Sequence, residues 1–328
     1  MRDVADHAGV GMMTVSRVLN GTARVRDETK ERVYRALEEL QYRPNHLARA
    51  LRGFRSYSIG VIVPDLYDPF FASYAHAINA VAKQHSYSVL LTTSDESVET
   101  ELEEARELLR RQVDGLIVIP ACHGRSQLDS EEFGRTPIVV ADRPIARSRI
   151  DSVLVENQEG AFAAVNHLIG HGHKRICFIG LSRQLFTMQT RLAGYEKAMQ
   201  DASLEAECFF EGGNEKATFE YLKRVREPNG PTAVFAANGL SSRHALHSLA
   251  MLGVHIPDQL AFVGFDDFEL ADILRPALTV VRQPVHRLGQ EAAEMLFVKL
   301  SDKPKSTPQK VLLPVELIVR RSCGCNPD

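Results

Sequence analysis

Along the first 40 residues, apolar positions recur at helical spacing, and short polar breaks separate them. Val4, Ala5 and Ala8 share one face of a helix predicted over roughly residues 2–8, which Gly9 ends. Val15, Val18 and Leu19, at i, i+3 and i+4, predict the buried face of a second helix over 12–20, closed by Asn20-Gly21. A third fits 27–40, with Val33, Ala36, Leu37 and Leu40 at helical spacing. Helix, short glycine turn, helix is the helix-turn-helix pattern. Pro44 then stops any helix before it, and Asn45 is a fair N-cap for one further short helix. A helix that short is marginal in water and needs a partner to stay folded.

From Tyr57 the texture changes. Eight apolar runs alternate with amphipathic helical stretches: IGVIVP (59–64), SVLLTTS (88–94), DGLIVIP (114–120), PIVVAD (137–142), DSVLVEN (151–157), RICFIG (175–180), TAVFAAN (232–238) and LAFVGFDD (260–267). Strands this apolar are buried on both faces, which predicts parallel sheet covered by helices and linked by right-handed βαβ units. Residues 57–328 exceed one comfortable doubly wound sheet, so two sheets with a cleft between them are expected. Ligands of open α/β sheets sit beyond the carboxyl ends of the strands. The polar residues ending these strands, Asp65, Asp142, Asn157, Asn238 and Asp266, are therefore the ones to watch.

The polar face of the second helix poses a question. It carries Met12, Met13, Ser16 and Arg17, and a soluble surface gains nothing from two adjacent methionines. The charge distribution bears on it. Residues 1–55 hold 11 Lys+Arg against 7 Asp+Glu and residues 56–328 hold 28 against 35, dividing the net charge of −3 into +4 and −7. A basic segment on an acidic body points to a polyanion partner for that segment.

Composition narrows the field further. With 44% apolar and 25% charged residues the chain is ordinary globular protein. It has no apolar run of about 18 residues, so no membrane span is expected. The first residues are charged and lack an apolar stretch, so no secretory signal is expected either. Five Cys do not make a disulfide scaffold, and Cys122, Cys177 and Cys208 lie in or near apolar runs as expected buried thiols. Cytoplasmic residence is the expectation.

Enzyme chemistry finds little support. No GxGxxG, GxxxxGK, HExxH or CxxC occurs. Asp266 and Asp267 are adjacent at a strand end and should point in different directions, which does not suit an acid/base pair. His171-Gly172-His173 reads as a surface turn, and Cys323-Gly324-Cys325 is weak for zinc without nearby partners. Neither metal nor cofactor is expected. A transport-type binding protein would fit residues 57–328 but would not carry residues 1–55.

Nine segments, DVADHAGVGMMTVSRVLNG, YRPNHLARALR, IGVIVPDLYDPFF, VDGLIVIP, HGHKRICFIG, RLAGYEKAM, PTAVFAAN, LAFVGFDD and LTVVRQP, follow one another in the order and spacing of a known family. Each alone is weak and the ordered set is specific. Over nearly its whole length the chain resembles the LacI/GalR family of bacterial transcription regulators. The resemblance implies a helix-turn-helix domain over 1–43, a hinge helix and linker over 44–56, and an effector-binding and dimerisation core over 57–328. That core would be two doubly wound parallel-sheet subdomains like a periplasmic binding protein, about 57–154 plus 285–312 and about 155–282 plus 313–328, joined by three crossovers. A cytoplasmic homodimer is implied, since no heptad tail follows Asp328.

The implied function is a repressor, of carbohydrate-utilisation genes, whose affinity for a pseudo-palindromic double-stranded operator is set by a small effector. The family inserts its second helix into the major groove, and Met12, Met13 and Arg17 match its base-reading positions. Methionine can touch a thymine methyl, whereas arginine can pair with guanine O6 and N7. Thr14, Ser16 and Asn20 would lie at the same interface, the first two reaching phosphates. Leu51 matches the residue the family wedges into the minor groove, with Asn45, His46, Ala48 and Arg49 along that groove. The hinge would fold only on DNA.

For the effector, the resemblance points to Asp68, Phe70, Phe71, Asp142, Arg191, Asn238, Asp266 and Gln283. Aromatic rings stack on a sugar or base face, and Asp with Arg grips vicinal hydroxyls through charge-assisted bonds. This favours a sugar or sugar derivative, while a purine-type or phosphorylated corepressor stays open. Three departures from the family bear on these expectations. Met1 sits directly on the first helix with no capping side chain, so either the true start lies upstream or the helix frays. Arg26 stands where the family has a Ser cap, and Asp27 is expected to cap one residue later. Gly239 follows Asn238 where the family commonly has Asp.

Overall fold

The computed structural model describes residues 1–20, 25–41, 55–121, 126–134, 136–146, 148–301 and 307–325, the side chains of Leu19 and Asn20 excepted. The chain divides into two compact units, Met1–Ser56 and Tyr57–Asp328. Among the described residues no helix is long and apolar enough to cross a membrane.

The first unit contains α1 (Arg2–Ala8), α2 (Met12–Asn20) and α3 (Asp27–Glu39). Gly9 ends α1 in the left-handed conformation, φ 63°, which glycine adopts without strain. Val4, Ala5, Ala8, Val15, Val18, Val33 and Ala36 form the core, and Leu37 packs on its edge. Leu40 lies past the last turn of α3 and is exposed. Arg32 of α3 donates to the carbonyls of Ala8 and Gly9, satisfying acceptors that the end of α1 leaves free. No side chain caps the start of α1. Asp27 does not cap α3 as expected. It is the first helical residue, with Arg26 at the cap position, and its carboxylate pairs with Lys30 at 2.8 Å. At that position it still complements the helix dipole.

The second unit is built on two six-stranded sheets. The strands are β1 (Ser58–Val63), β2 (Ser88–Thr93), β3 (Gly115–Val118), β4 (Ile138–Ala141), β5 (Asp151–Val155), β6 (Ile176–Ile179), β7 (Glu207–Phe209), β8 (Ala233–Ala236), β9 (Ala261–Phe265), β10 (Thr279–Arg282), β11 (Lys310–Leu313) and β12 (Glu316–Ile318). The sheet orders are β11-β5-β4-β3-β1-β2 and β12-β10-β9-β8-β6-β7, so the second repeats the first position by position. All pairings are parallel except β10 with β12, which is antiparallel and departs from the all-parallel expectation.

The helices are α4 (Pro69–Gln84), α5 (Val98–Arg110), α6 (Asn157–Gly170), α7 (Phe186–Asp201), α8 (Glu215–Leu222), α9 (Gly239–Met251) and α10 (Val285–Leu300). The chain leaves the first sheet after Val155, returns after Arg282 and crosses again after Leu313. α10 therefore follows a strand of the second sheet but buries Leu288, Ala292 and Leu296 in the core of the first.

The eight apolar runs are all strands, and the central ones are buried on both faces. β2 is the exception. It is an edge strand, with Leu91 exposed. Four strands are not among the eight runs: the short, half-buried β7, β11 and β12, since edge strands need not be apolar throughout, and β10, a central strand of four residues whose last, Arg282, is exposed. Cys177 is buried and Cys208 only half-buried, while Cys122 lies outside the described residues.

Candidate ligand cleft and recognition helix

Two strand ends make the frame of the cleft. β4 is followed by Asp142 at φ 62°, and β9 by Asp266 at φ 78°. These are equivalent positions of the two sheets. Each backbone N–H closes onto the neighbouring strand, Asp142 on the Val153 carbonyl at 3.0 Å and Asp266 on that of Val281 at 2.9 Å. Positive φ is uncommon outside glycine, and aspartate tolerates it better than most residues. Strained backbone of this kind concentrates at functional sites.

Arg191 of α7 fixes the centre. Its Nε donates to Asn157 Oδ1 and its Nη1 to the Ala237 carbonyl, both at 2.7 Å. Asp266 Oδ2 lies 3.9 Å from Nη1, and the guanidinium sits 3.7 Å above the Phe265 ring. Burial pulls the Arg191 pKa down, against the opposing charges of Asp266 and Asp142. Asp266 in turn accepts from the Gly239 N–H at 3.1 Å and from Gln283 Nε2 at 2.5 Å. On the first sheet, Arg143 grips both carboxylate oxygens of Glu96 at 2.5 and 2.7 Å and lies 3.4 Å from Asp142. Burial pushes the Asp142 carboxyl above its ordinary value, with Arg143 and Arg191 opposing. Asp68 is pushed the same way by burial and by Asp266.

All eight residues expected at the effector site, Asp68, Phe70, Phe71, Asp142, Arg191, Asn238, Asp266 and Gln283, line one small cavity of about 70 Å³. Two of them also do structural work. Asp68 caps α4 through the Phe70 N–H, and Asn238 caps α9 through that of Ser241. The Phe71 ring belongs to the first core and is nearly covered, so Phe70 is the aromatic left for stacking. Gln283 Oε1 is buried and has no hydrogen-bond partner among the described residues. A neighbouring cavity of about 640 Å³ shares Asp68, Phe70, Asp266 and Gln283 and adds Gly239, Arg243, His286 and Arg287.

Sequence reasoning missed Arg143, Glu96 and Arg243. Arg143 directly follows a strand-end Asp that was singled out, which was a usable signal. Glu96 and Arg243 reach the site only through tertiary placement. Asp266 and Asp267 do diverge, the latter pairing with Arg282 and Arg320 away from Asp266's partners.

On α2, Val15 and Val18 are buried while Met12 is 54% and Met13 69% exposed. Core packing is thereby excluded for the methionines. Arg17 is exposed beside them, and Thr14 and Ser16 are half-buried. The Asn20 side chain and Asn45, His46, Ala48, Arg49 and Leu51 lie outside the described residues. One further expectation fails. The Cys323/Cys325 pair does have nearby partners, His167 and His171, whereas His173 bonds Thr232 instead.

A model of bacterial regulatory proteins of the lacI family matches residues 1–45, and one of periplasmic binding protein-like domains matches 165–323. Catabolite control protein A of Priestia megaterium is 31% identical over 98% of this chain and 98% of its own. The chain belongs to the LacI family. The HTH-type transcriptional repressor PurR of Pasteurella multocida is 32% identical, again over 98% of both chains. A crystal structure of the lac repressor dimer, bound to operator and the anti-inducer ONPF, superposes with a TM-score of 0.85 at 29% identity, covering 98% of each chain. This LacI-family chain is thus a DNA-binding transcriptional regulator, not an enzyme.

Proposed function

We propose that this regulator is a homodimeric cytoplasmic repressor that releases or engages a pseudo-palindromic operator according to a polar effector held between its two sheets. The domain limits proposed are 1–43 for DNA reading, 44–56 for the hinge and 57–328 for the core, the latter split at the three crossovers. The observation that carries the effector reading is the convergence of Asp68, Asp142, Asp266 and Arg191 on one cavity beside Phe70. Fixed carboxylates and a guanidinium next to a ring suit a ligand with adjacent hydroxyls and an apolar face, a sugar or sugar derivative.

The volume supports a moving part. About 70 Å³ is well below the several hundred Å³ of ordinary ligand sites. A sugar at these residues requires the two sheets to separate, so its differential affinity for open and closed cores shifts the balance between them. The base-reading set proposed is Met12, Met13 and Arg17, supported by their exposure on α2.

A phosphorylated or purine-type effector is the second reading. Arg243 favours it. Gly239 leaves Arg243 with Asp68 as its nearest carboxylate, 3.8 Å away, on the wall of the larger cavity. The test is a thermal-shift panel of neutral sugars, sugar phosphates and purines against the wild type, Arg191→Ala and Arg243→Ala. A neutral sugar should raise the melting temperature of the wild type and of Arg243→Ala but not of Arg191→Ala. A shift by a phosphate that Arg243→Ala loses would replace the sugar reading with the second. A shift that survives Arg191→Ala would remove this cavity as the effector site.

A further inference from the structure

Four potential metal donors meet far from the cleft. α6 begins at Asn157, which holds Arg191, and ends about 20 Å further along. On that last turn His167 and His171 are i, i+4 neighbours, their rings edge-to-face with centroids 4.7 Å apart. The chain beyond β12 returns to them. Ser322 anchors the return by accepting from the Thr279 N–H at 2.8 Å and donating to the Phe262 carbonyl at 2.6 Å. Gly324 at φ 91° then reverses the backbone between Cys323 and Cys325.

The outcome is a compact set of nitrogen and sulfur donors. Cys325 Sγ lies 2.9 Å from His171 Nε2 and 3.4 Å from His167 Nε2. These three donor atoms all fall within 4.8 Å of one another. Cys323 Sγ is 3.2 Å from His167 Nε2 and accepts from the Thr279 hydroxyl at 3.1 Å. A tetrahedral zinc ion, with bonds of about 2.3 Å to sulfur and 2.0 Å to nitrogen, holds unlike donors about 3.5 Å apart. The contacts already approach that spacing. Two imidazoles with two thiols form a set used for zinc, and soft sulfur donors disfavour magnesium and calcium. The Thr279 hydroxyl supplies the kind of outer contact that orients a ligating sulfur.

We propose that His167, His171 and Cys325, with Cys323 as fourth donor, bind one zinc-class divalent cation that clasps the C-terminal segment to the end of α6. Cys323 completes the set with its sulfur 3.2 Å from His167 Nε2, the Thr279 hydroxyl remaining its outer contact. The site is independent of the effector cleft, so it stands or falls apart from the function proposed above.

The test uses the full chain, reduced and stripped with chelator, and two probes, Co²⁺ by absorption and Zn²⁺ by equilibrium dialysis. One ion per chain is expected, with a thiolate-to-cobalt charge-transfer band. Loss of outer contacts alone weakens metal sites by about 10–100-fold, so Cys325→Ser and His171→Gln should each weaken binding by about 100-fold or more. His171 is exposed, so its variant should fold, with the circular dichroism spectrum as the check. His173→Gln, outside the cluster, should bind like the wild type. Absence of stoichiometric uptake under reducing conditions would overturn the proposal. So would uptake undiminished in Cys325→Ser or His171→Gln, or a Cys323–Cys325 disulfide in the stripped chain that no reductant opens.

Discussion

The face of α2 and the wall of the cleft present functional side chains in opposite ways. Met12, Met13 and Arg17 stand in solvent on a helix whose other side is core. Arg191, Asp142 and Gln283 are buried, and Arg191 is already tied to Asn157, Ala237 and the Asp266 charge. The first set lies outside the core of its unit, so as the proposed reading face it is free to vary with the DNA. The second is part of the fold, so its ligand must compete with bonds the protein makes to itself. A reader of DNA can be rigid. A sensor needs two states of similar free energy, and buried charged groups with incomplete pairing supply a reason to open.

The largest effect should come from the cleft. Arg191→Ala leaves Asn157 Oδ1 and the Ala237 carbonyl without their donor and Asp266 without its nearest cation. Breaking buried charged pairs of this kind costs about 3–5 kcal/mol. Urea unfolding of the core should lose that amount, and effector response should vanish with it. Unchanged stability would mean that the cleft is less tightly tied than these contacts imply.

On the recognition face the pattern should invert. Arg17→Ala should leave the melting temperature alone and weaken operator binding by about 2 kcal/mol, roughly 30-fold, if it pairs with a guanine. Met13→Ala should weaken binding by about 1 kcal/mol, the worth of apolar contact with a base edge. Anisotropy titrations with the selected site measure both. A melting temperature that falls in either variant would break the contrast between exposed reader and buried sensor.

The smallest effect sharpens it. Glu101 is a fully buried carboxylate outside the cleft, accepting from the Ala121 N–H and the Ser126 hydroxyl at 2.7 Å each. Burial pushes its pKa above the ordinary value, outweighing those two bonds. The folded state thus binds this proton more tightly than the unfolded one. Its contribution to stability is complete below the ordinary carboxylate range and is lost as pH rises through the raised value. Glu101→Gln keeps an acceptor for Ala121 and offers its amide N–H to the Ser126 hydroxyl, which then accepts instead of donating, so it should raise the unfolding midpoint slightly at neutral pH and not at acidic pH. An equal change at both pH values would show that the charge is not what burial penalises.

How much was legible in sequence follows the same divide. The periodicity of α1, α2 and α3 is local, so their ends could be read to within a residue and the inward residues that are described could be read directly, Leu40 excepted. Seven of the eight central strands were equally plain, because burial on both faces makes them continuously apolar; the four-residue β10 was the central strand not read as a run, although it is buried up to Arg282. Edge strands escaped, as β7 and β12 are short and half-solvated. The cleft was half legible. Strand-end polar residues such as Asp142 and Asp266 could be flagged from topology alone, and Arg191 came from the family pattern. Arg143 was within reach as the neighbour of Asp142, whereas Glu96 and Arg243 depend on how distant segments meet, which no local spacing encodes. The histidine–cysteine cluster shows this most sharply. His167 and Cys325 are separated by 158 positions, so neither implied the other.

The most direct test is selection of genomic fragments by the purified chain, run beside its Arg17→Ala variant and followed by sequencing. The account predicts that the wild type enriches one pseudo-palindromic site and that Arg17→Ala loses it while melting at the same temperature. Enrichment of the same site by both proteins, or of none by the wild type with and without the effector that stabilises it, would contradict the assignment of α2 as the reading face.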